Sequence, residues 1–168
     1  TGIPSSEKLP MARIVRPLRE MGADSTGVDD KFCPLSIGPG HLHGIAYTLP
    51  VASAQLKSAI LLAGLYADGP TTVIEPAPSR DHTERMLRAL GCRVDTDGCR
   101  ITVYPPEKLT ARDVAVPADI SSAAFFLVAG AIVPGSCVTI QGVGVNPTRD
   151  GVLEVLRNMG ADITLSNL

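Results

Sequence analysis

The sequence predicts an α/β (α+β) fold assembled from a repeated unit, and three observations carry that prediction. Three helical stretches each stop at a glycine, Gly22, Gly91 and Gly160, with 69 residues between successive members. Apolar helices of a second kind lie between them. Short alternating runs follow each glycine, as half-buried strands do.

The first kind of helix is seen in ARIVRPLREMGAD (Ala12 to Asp24), TERMLRALGCRV (Thr83 to Val94) and GVLEVLRNMGADI (Gly151 to Ile163). Ile14, Val15, Leu18 and Met21 repeat at helical spacing and form one apolar face. Met86, Leu87 and Leu90 do the same, as do Val152, Leu153, Leu156 and Met159. A glycine after such a face adopts the left-handed conformation that ends a helix. The run from Arg93 to Val103 alternates around Asp97-Gly98, which predicts a hairpin turn. The second kind of helix spans Gln55 to Leu65, with Leu56, Ala59, Ile60 and Ala63 on one face. Its counterpart runs from about Ser122 to Ile132, and Ser53 and Ser122 again stand 69 apart. This pattern suggests helices packed inside a shell of sheets. A solenoid is the alternative, although 69 residues is long for the common ones. Pro117 marks a domain boundary, with 1–116 and 117–168 on its two sides.

Composition sets limits on function. The formal charge is −2, so nothing in the total draws the chain to nucleic acid or to an anionic membrane. With no Trp, three Tyr and three Phe, stacking platforms for bases are not expected. Cys33, Cys92, Cys99 and Cys137 form no CxxC pair and read as buried or incidental thiols, a catalytic thiolate being the remote alternative. The apolar run Ala123 to Val133 is too short to span a membrane and is expected to be a buried helix. No secretory leader is visible, which favours a reducing, cytoplasmic location. His41, His43 and His82 lack partners at metal-ligand spacing, and no GxxxxGK[ST] or GxGxxG loop is present. Neither a metal nor a cofactor is expected.

Local placement of a few groups points to an anion site. Ser53 is a good N-cap, and the backbone N–H groups of the helix it starts favour an anion. Gln55 lies in the first turn, with Lys57 adding positive charge nearby; a simply capped helix is the plainer reading. In Ser79-Arg80-Asp81-His82-Thr83-Glu84, Asp81 and Glu84 fit a capping box. That leaves Ser79 and Arg80 outside the helix, where arginine can grip phosphate or carboxylate with two parallel hydrogen bonds. Arg149 is the matching arginine one unit later, serving packing or the site. In Asp119-Ile120-Ser121-Ser122, Asp119 or Ser121 caps the next helix, or Asp119 braces a hinge. His82 is a hydrogen-bonding residue of the first turn or an extension of the cap.

Four strings go further. PVASAQLKSAILLAGL (Pro50 to Leu65), EPAPSRDHTERML (Glu75 to Leu87), VPADISSAAFFLVAG (Val116 to Gly130) and VNPTRDG (Val145 to Gly151) resemble the 5-enolpyruvylshikimate-3-phosphate synthase family. The resemblance extends over essentially the whole chain, but covers only the middle of the family's full length. It implies an enolpyruvyl transferase-like fold, with two domains each built from three β-α-β-α-β-β units and an active site in the cleft between them. It also implies that 1–116 belong to an incomplete second domain and that 117–168 re-enter the first. The implied reaction transfers the enolpyruvyl group of phosphoenolpyruvate to the 5-hydroxyl of shikimate 3-phosphate, through a tetrahedral intermediate. The implied partners are those two substrates and the remainder of the enzyme chain. Ser53, Ala54 and Gln55 match the motif that holds the shikimate phosphate and ring. Ser79 matches a phosphate-contacting serine, Arg80 a basic residue beside it, and His82 the place of a ring-stacking tyrosine in some members.

One departure stands out. Family members usually read Arg-Pro-Met or Arg-Pro-Ile at the first helix start, whereas this chain reads Lys8-Leu9-Pro10-Met11. A charge-assisted hydrogen bond is worth about 1.5–3 kcal/mol. Its loss implies donor binding weakened about tenfold or more, unless Lys8 substitutes as a point charge. The acid/base carboxylate and lysine of the family have no counterpart here, so the isolated chain is expected to be inactive. A non-catalytic binding or assembly fragment and the related UDP-amino-sugar enolpyruvyl transferase are the alternatives.

Overall fold

The computed structural model describes residues 10–166, so Lys8 and Leu9 lie outside the described residues. The chain divides into two compact units, Thr1–Ala111 and Arg112–Leu168.

The first unit opens with helix α1 (Ala12–Glu20) and the antiparallel pair β1 (Ser25–Val28) and β2 (Phe32–Ile37). It continues with β3 (Ala46–Thr48), α2 (Ala54–Gly64), β4 (Thr71–Ile74), α3 (His82–Ala89), β5 (Val94–Asp97) and β6 (Arg100–Val103). This second run is one complete β-α-β-α-β-β unit. Its sheet has the order β3-β4-β6-β5. β3 runs parallel to β4, with Ala46 opposite Thr72, and β4 runs antiparallel to β6, with Thr71 opposite Val103. Helix α2 packs against β4 and β6, and α1 packs against α2 and β1. Met21, Leu49, Leu56, Ile60, Leu61, Val73, Leu87 and Val103 are buried in the shared core. The expected face of α1 holds, since Val15 and Met21 are buried and Ile14 and Leu18 pack against the core. Of the apolar residues expected on the inner face of α3 only Leu87 is fully inside, and Met86 is 45% exposed. An eight-residue helix on a sheet surface has a narrower apolar stripe than its sequence suggests.

All three stop signals work as the sequence predicts. Gly22, Gly91 and Gly160 have φ of +98°, +85° and +97°. In each corner the glycine N–H returns to a carbonyl three residues back (Arg19, Arg88, Arg157), and the next N–H to one five back (Leu18, Leu87, Leu156). Those two bonds define the Schellman motif. The hairpin also forms, but its register shifts the turn by one residue. Asp97 pairs with Arg100, so Gly98 and Cys99 make the turn, and Gly98 takes φ +55° at its first central position.

The second unit contains helix α4 (Ile120–Ile132), helix α5 (Gly151–Asn158) and an isolated parallel bridge, Ala118 to Val143. Leu153 and Leu156 are buried as expected, while Met159 is 78% exposed. The apolar run of α4 is a helix but not a buried one. Phe125 is 79% exposed, and Phe126, Val128 and Ile132 are exposed as well. Within this unit α5 packs on α4 and no described strand covers the rest of it. No helix among the described residues is long and apolar enough to cross a membrane.

Candidate functional site

The start of α2 is the first element of the site. Ser53 is extended (φ −140°, ψ 103°), and its hydroxyl oxygen accepts the Leu56 N–H at 3.3 Å. Ser53 and Ala54 are half-buried and Gln55 is exposed. The N–H groups of this first turn have no helical partner by geometry, which is what gives a helix start its affinity for anions. Gln55 Oε1 accepts from Arg13 Nη2 of α1 at 3.4 Å, so the amide carbonyl has a partner and the NH2 remains a donor.

Lys57 does not add open charge to that turn. Its side chain is 1% exposed, and its ammonium lies 2.9 Å from Glu75 Oε2 and 2.7 Å from Glu84 Oε1. It also donates to the Ser79 carbonyl at 3.4 Å. These three contacts match the three hydrogens of an ammonium group. Ser79 completes the cluster by donating its hydroxyl to Glu75 Oε1. Glu84 Oε2 is buried with no hydrogen-bond partner, so the cluster carries more carboxylate than it satisfies. The capping box does not form. Asp81 holds the N-cap position of α3 without a capping hydrogen bond, and its carboxylate meets Arg85 Nε at 2.8 Å. Glu84 is turned inward to Lys57 instead, because a buried ammonium attracts it more strongly than a solvated backbone N–H.

Lys57 therefore brings the two predicted segments together. It sits one turn after Ser53 and holds Ser79, the neighbour of Arg80. A 2.6 Å hydrogen bond between the Ser58 and Thr83 hydroxyls adds a second tie between α2 and α3. Arg80 and His82 are exposed, His82 as the first residue of α3.

The corresponding junction in the second unit is built differently. Asp119 is the N-cap of α4, accepting the Ser122 N–H at 3.1 Å, so of the two expected cap candidates it is Asp119 and not Ser121. Four residues separate Thr48 from Ser53, while Ala118 is followed at once by Asp119, so the second helix starts early. Arg149 Nη2 donates to Asp119 Oδ1 at 2.8 Å and to Ser121 Oγ at 2.9 Å. Partial desolvation pushes the Asp119 carboxyl up, but hydrogen bonds from Ser121 and Ser122 and the charge of Arg149 outweigh it, leaving a lowered pKa.

The whole described chain, with these junctions, matches a family model, EPSP synthase (3-phosphoshikimate 1-carboxyvinyltransferase), over residues 1–167. The chain belongs to the EPSP synthase family. A 3-phosphoshikimate 1-carboxyvinyltransferase of Geobacillus thermodenitrificans is 56% identical over 168 residues, 99% of this chain and 39% of the relative. One of Endomicrobium trichonymphae is 55% identical over 100% of this chain and 39% of its own length. A solved EPSP synthase from Acinetobacter baumannii superposes with TM-score 0.91 at 54% identity, covering 99% of this chain and 38% of that one. The chain thus spans 39% of the length of those curated relatives. The mixed α/β fold and the complete β-α-β-α-β-β unit agree with the EPSP synthase fold.

Two features were missed by sequence reasoning. The buried Lys57 cluster joins residues 18 and more apart, but one signal pointed to it. Lys57 shares a helical face with Ile60, Leu61 and Gly64, all buried, and a lysine there requires a buried acid. The other feature is a triplet of arginines, Arg19, Arg88 and Arg157, again 69 apart. Each donates to the carbonyl six residues on: Ser25 at 2.6 Å, Val94 at 2.9 Å and Ile163 at 3.1 Å.

Proposed function

We propose that this chain supplies the shikimate 3-phosphate half-site of an enzyme that transfers the enolpyruvyl group from phosphoenolpyruvate to the 5-hydroxyl of that substrate. Ser53, the first-turn N–H groups of Ala54 and Gln55, and the Gln55 amide face the phosphate and ring from one side. The loop that Ser79 anchors brings Arg80 and, more peripherally, His82 to it from the other. The observation that carries this reading is the tie through Lys57 between the start of α2 and the Ser79-Arg80 loop. A single small anion can meet both segments only if they are neighbours.

In this reading residues 1–116 belong to one domain and 117–168 to the other, with the crossover near Pro117. The exposed apolar face of α4 is then covered by further parts of a longer enzyme chain, which also supplies the acid/base groups. Leu9 leaves phosphoenolpyruvate without one expected guanidinium, and Lys8 offers the nearest positive charge in sequence. The protein would work in the cytoplasm.

The test uses the full-length protein, supplied with shikimate 3-phosphate and phosphoenolpyruvate while phosphate release is followed. Turnover is expected with this acceptor and not with a UDP-amino sugar. Replacing Arg80 with Ala is expected to raise the KM for shikimate 3-phosphate about tenfold, the cost of one charge-assisted hydrogen bond. An unchanged KM would remove Arg80 from the site.

A further inference from the structure

We propose that Lys57, Glu75 and Glu84 are a positioning cluster that uses Ser79 as a strut, so that Arg80 alone presents a side chain from this loop to the anionic group of the acceptor. The assignment rests on the functional reading above and deepens it.

The argument begins with proton inventory. An ionised carboxylate only accepts hydrogen bonds, so in the Ser79–Glu75 pair the serine is the donor. A serine has a single hydroxyl proton. While it is held by Glu75 it is not available to a phosphate oxygen. Ser79 thus takes a structural role in place of the phosphate contact that the resemblance implies. Its carbonyl is fixed as well, by Lys57 Nζ. Side chain and backbone of Ser79 are both anchored to a cluster whose members are 1–3% exposed. The residue that follows such an anchor leaves it in a defined direction, and that residue is Arg80, which is exposed.

The second junction shows what happens without the cluster. At the 69-residue offset, Lys57, Glu75 and Glu84 correspond to Phe126, Gly144 and Leu153, and Arg80 corresponds to Arg149. There the arginine itself ties loop to helix start, through Asp119 and Ser121. Where a buried lysine makes the tie, the arginine is released from that duty. The same arginine position is thus a strut in one copy and a presenting group in the other.

The experiment is a set of double-mutant cycles on the full-length protein, read as acceptor KM, donor KM and kcat. The variants are Glu75→Gln and Ser79→Ala, each made alone and together with Arg80→Ala. Each alone is expected to raise the KM for shikimate 3-phosphate about fivefold or more, with kcat and the KM for phosphoenolpyruvate within about twofold. In the Arg80→Ala background neither is expected to raise it further, because the effect acts through Arg80. Should Glu75→Gln fail to fold, Ser79→Ala cuts the same tie from the loop side. Effects that add to that of Arg80→Ala, or single variants with wild-type acceptor KM, overturn the assignment alone. A wild-type protein that does not turn over shikimate 3-phosphate overturns the functional reading, and this assignment with it.

Discussion

The two helix-start junctions occupy matching places in the 69-residue repeat and have opposite electrostatic construction. In the first unit the tie between loop and helix is buried, made by Lys57 with Glu75 and Glu84. In the second it is exposed, made by Arg149 with Asp119 and Ser121. The difference teaches that matching places in a repeat can be braced by different charges. In the reading proposed above, the side chain that does the bracing determines which one is left to face the acceptor.

The most forceful way to break this comparison is to remove the buried ammonium. Lys57→Met strands two carboxylates in the core and is expected to cost about 3–5 kcal/mol of stability. Arg149→Met exposes to water what was already near it and should cost far less. Urea unfolding of the full-length protein measures both. Equal losses would mean that the first junction is no more buried in energy than the second.

The glycine corners sharpen the point, because there the backbone is the same in all three copies. Ala at a left-handed position costs about 1–2 kcal/mol from its own strain. The surroundings add to that unequally. A Cβ on Gly22 would lie 2.5 Å from the His41 carbonyl, one on Gly91 3.2 Å from the Thr110 hydroxyl, and one on Gly160 would meet nothing within 4 Å. The expected order of destabilisation is Gly22→Ala, then Gly91→Ala, then Gly160→Ala, read from thermal midpoints. A reversed order would show that neighbours do not set the cost.

Smaller effects follow at the caps. Ser53→Ala is expected to cost about 1 kcal/mol, the usual loss for an N-cap, and Ser53→Asp to restore most of it. Acid should act on the second junction. The folded Asp119 carboxyl titrates below the ordinary aspartate value, so its contribution is present above that value and fades as pH falls through the lowered one. Amide shifts of Ser121 and Ser122 followed during acid titration would report this. A midpoint at or above the ordinary aspartate value would contradict the hydrogen bonds that Ser121 and Ser122 give to Asp119 at this junction.

Much of this was legible in the sequence because the signals are local. The stop glycines, the Ser53 cap and the face of α1 depend on residues within a turn or two of each other, whereas the buried face of α2 keeps the expected Leu56 and Ile60 but takes in Lys57, Leu61 and Gly64 while Ala59 and Ala63 are only half-buried. What failed was also local in form but decided elsewhere. Asp81 and Glu84 have capping-box spacing, yet Glu84 answers to Lys57, 27 positions away. Met86 and Met159 have core spacing, yet they are 45% and 78% exposed. The apolar run of α4 has the composition of a buried helix, and composition does not say which segment buries it. The arginine triplet was visible as three letters at one interval, but its purpose needed the carbonyls it reaches.

Those arginines have a consequence for how such a chain is laid out. Each donates to a carbonyl only six residues ahead, across a corner whose glycine is already closed by two bonds within five residues. Each of the three corners therefore makes its closing bonds within its own segment, and the first two gain one more from farther along, from the His43 N–H to the Met21 carbonyl and from the Thr110 N–H to the Leu90 carbonyl. A polypeptide whose bends are closed chiefly by near neighbours keeps each bend where the chain passes from one compact body to the next.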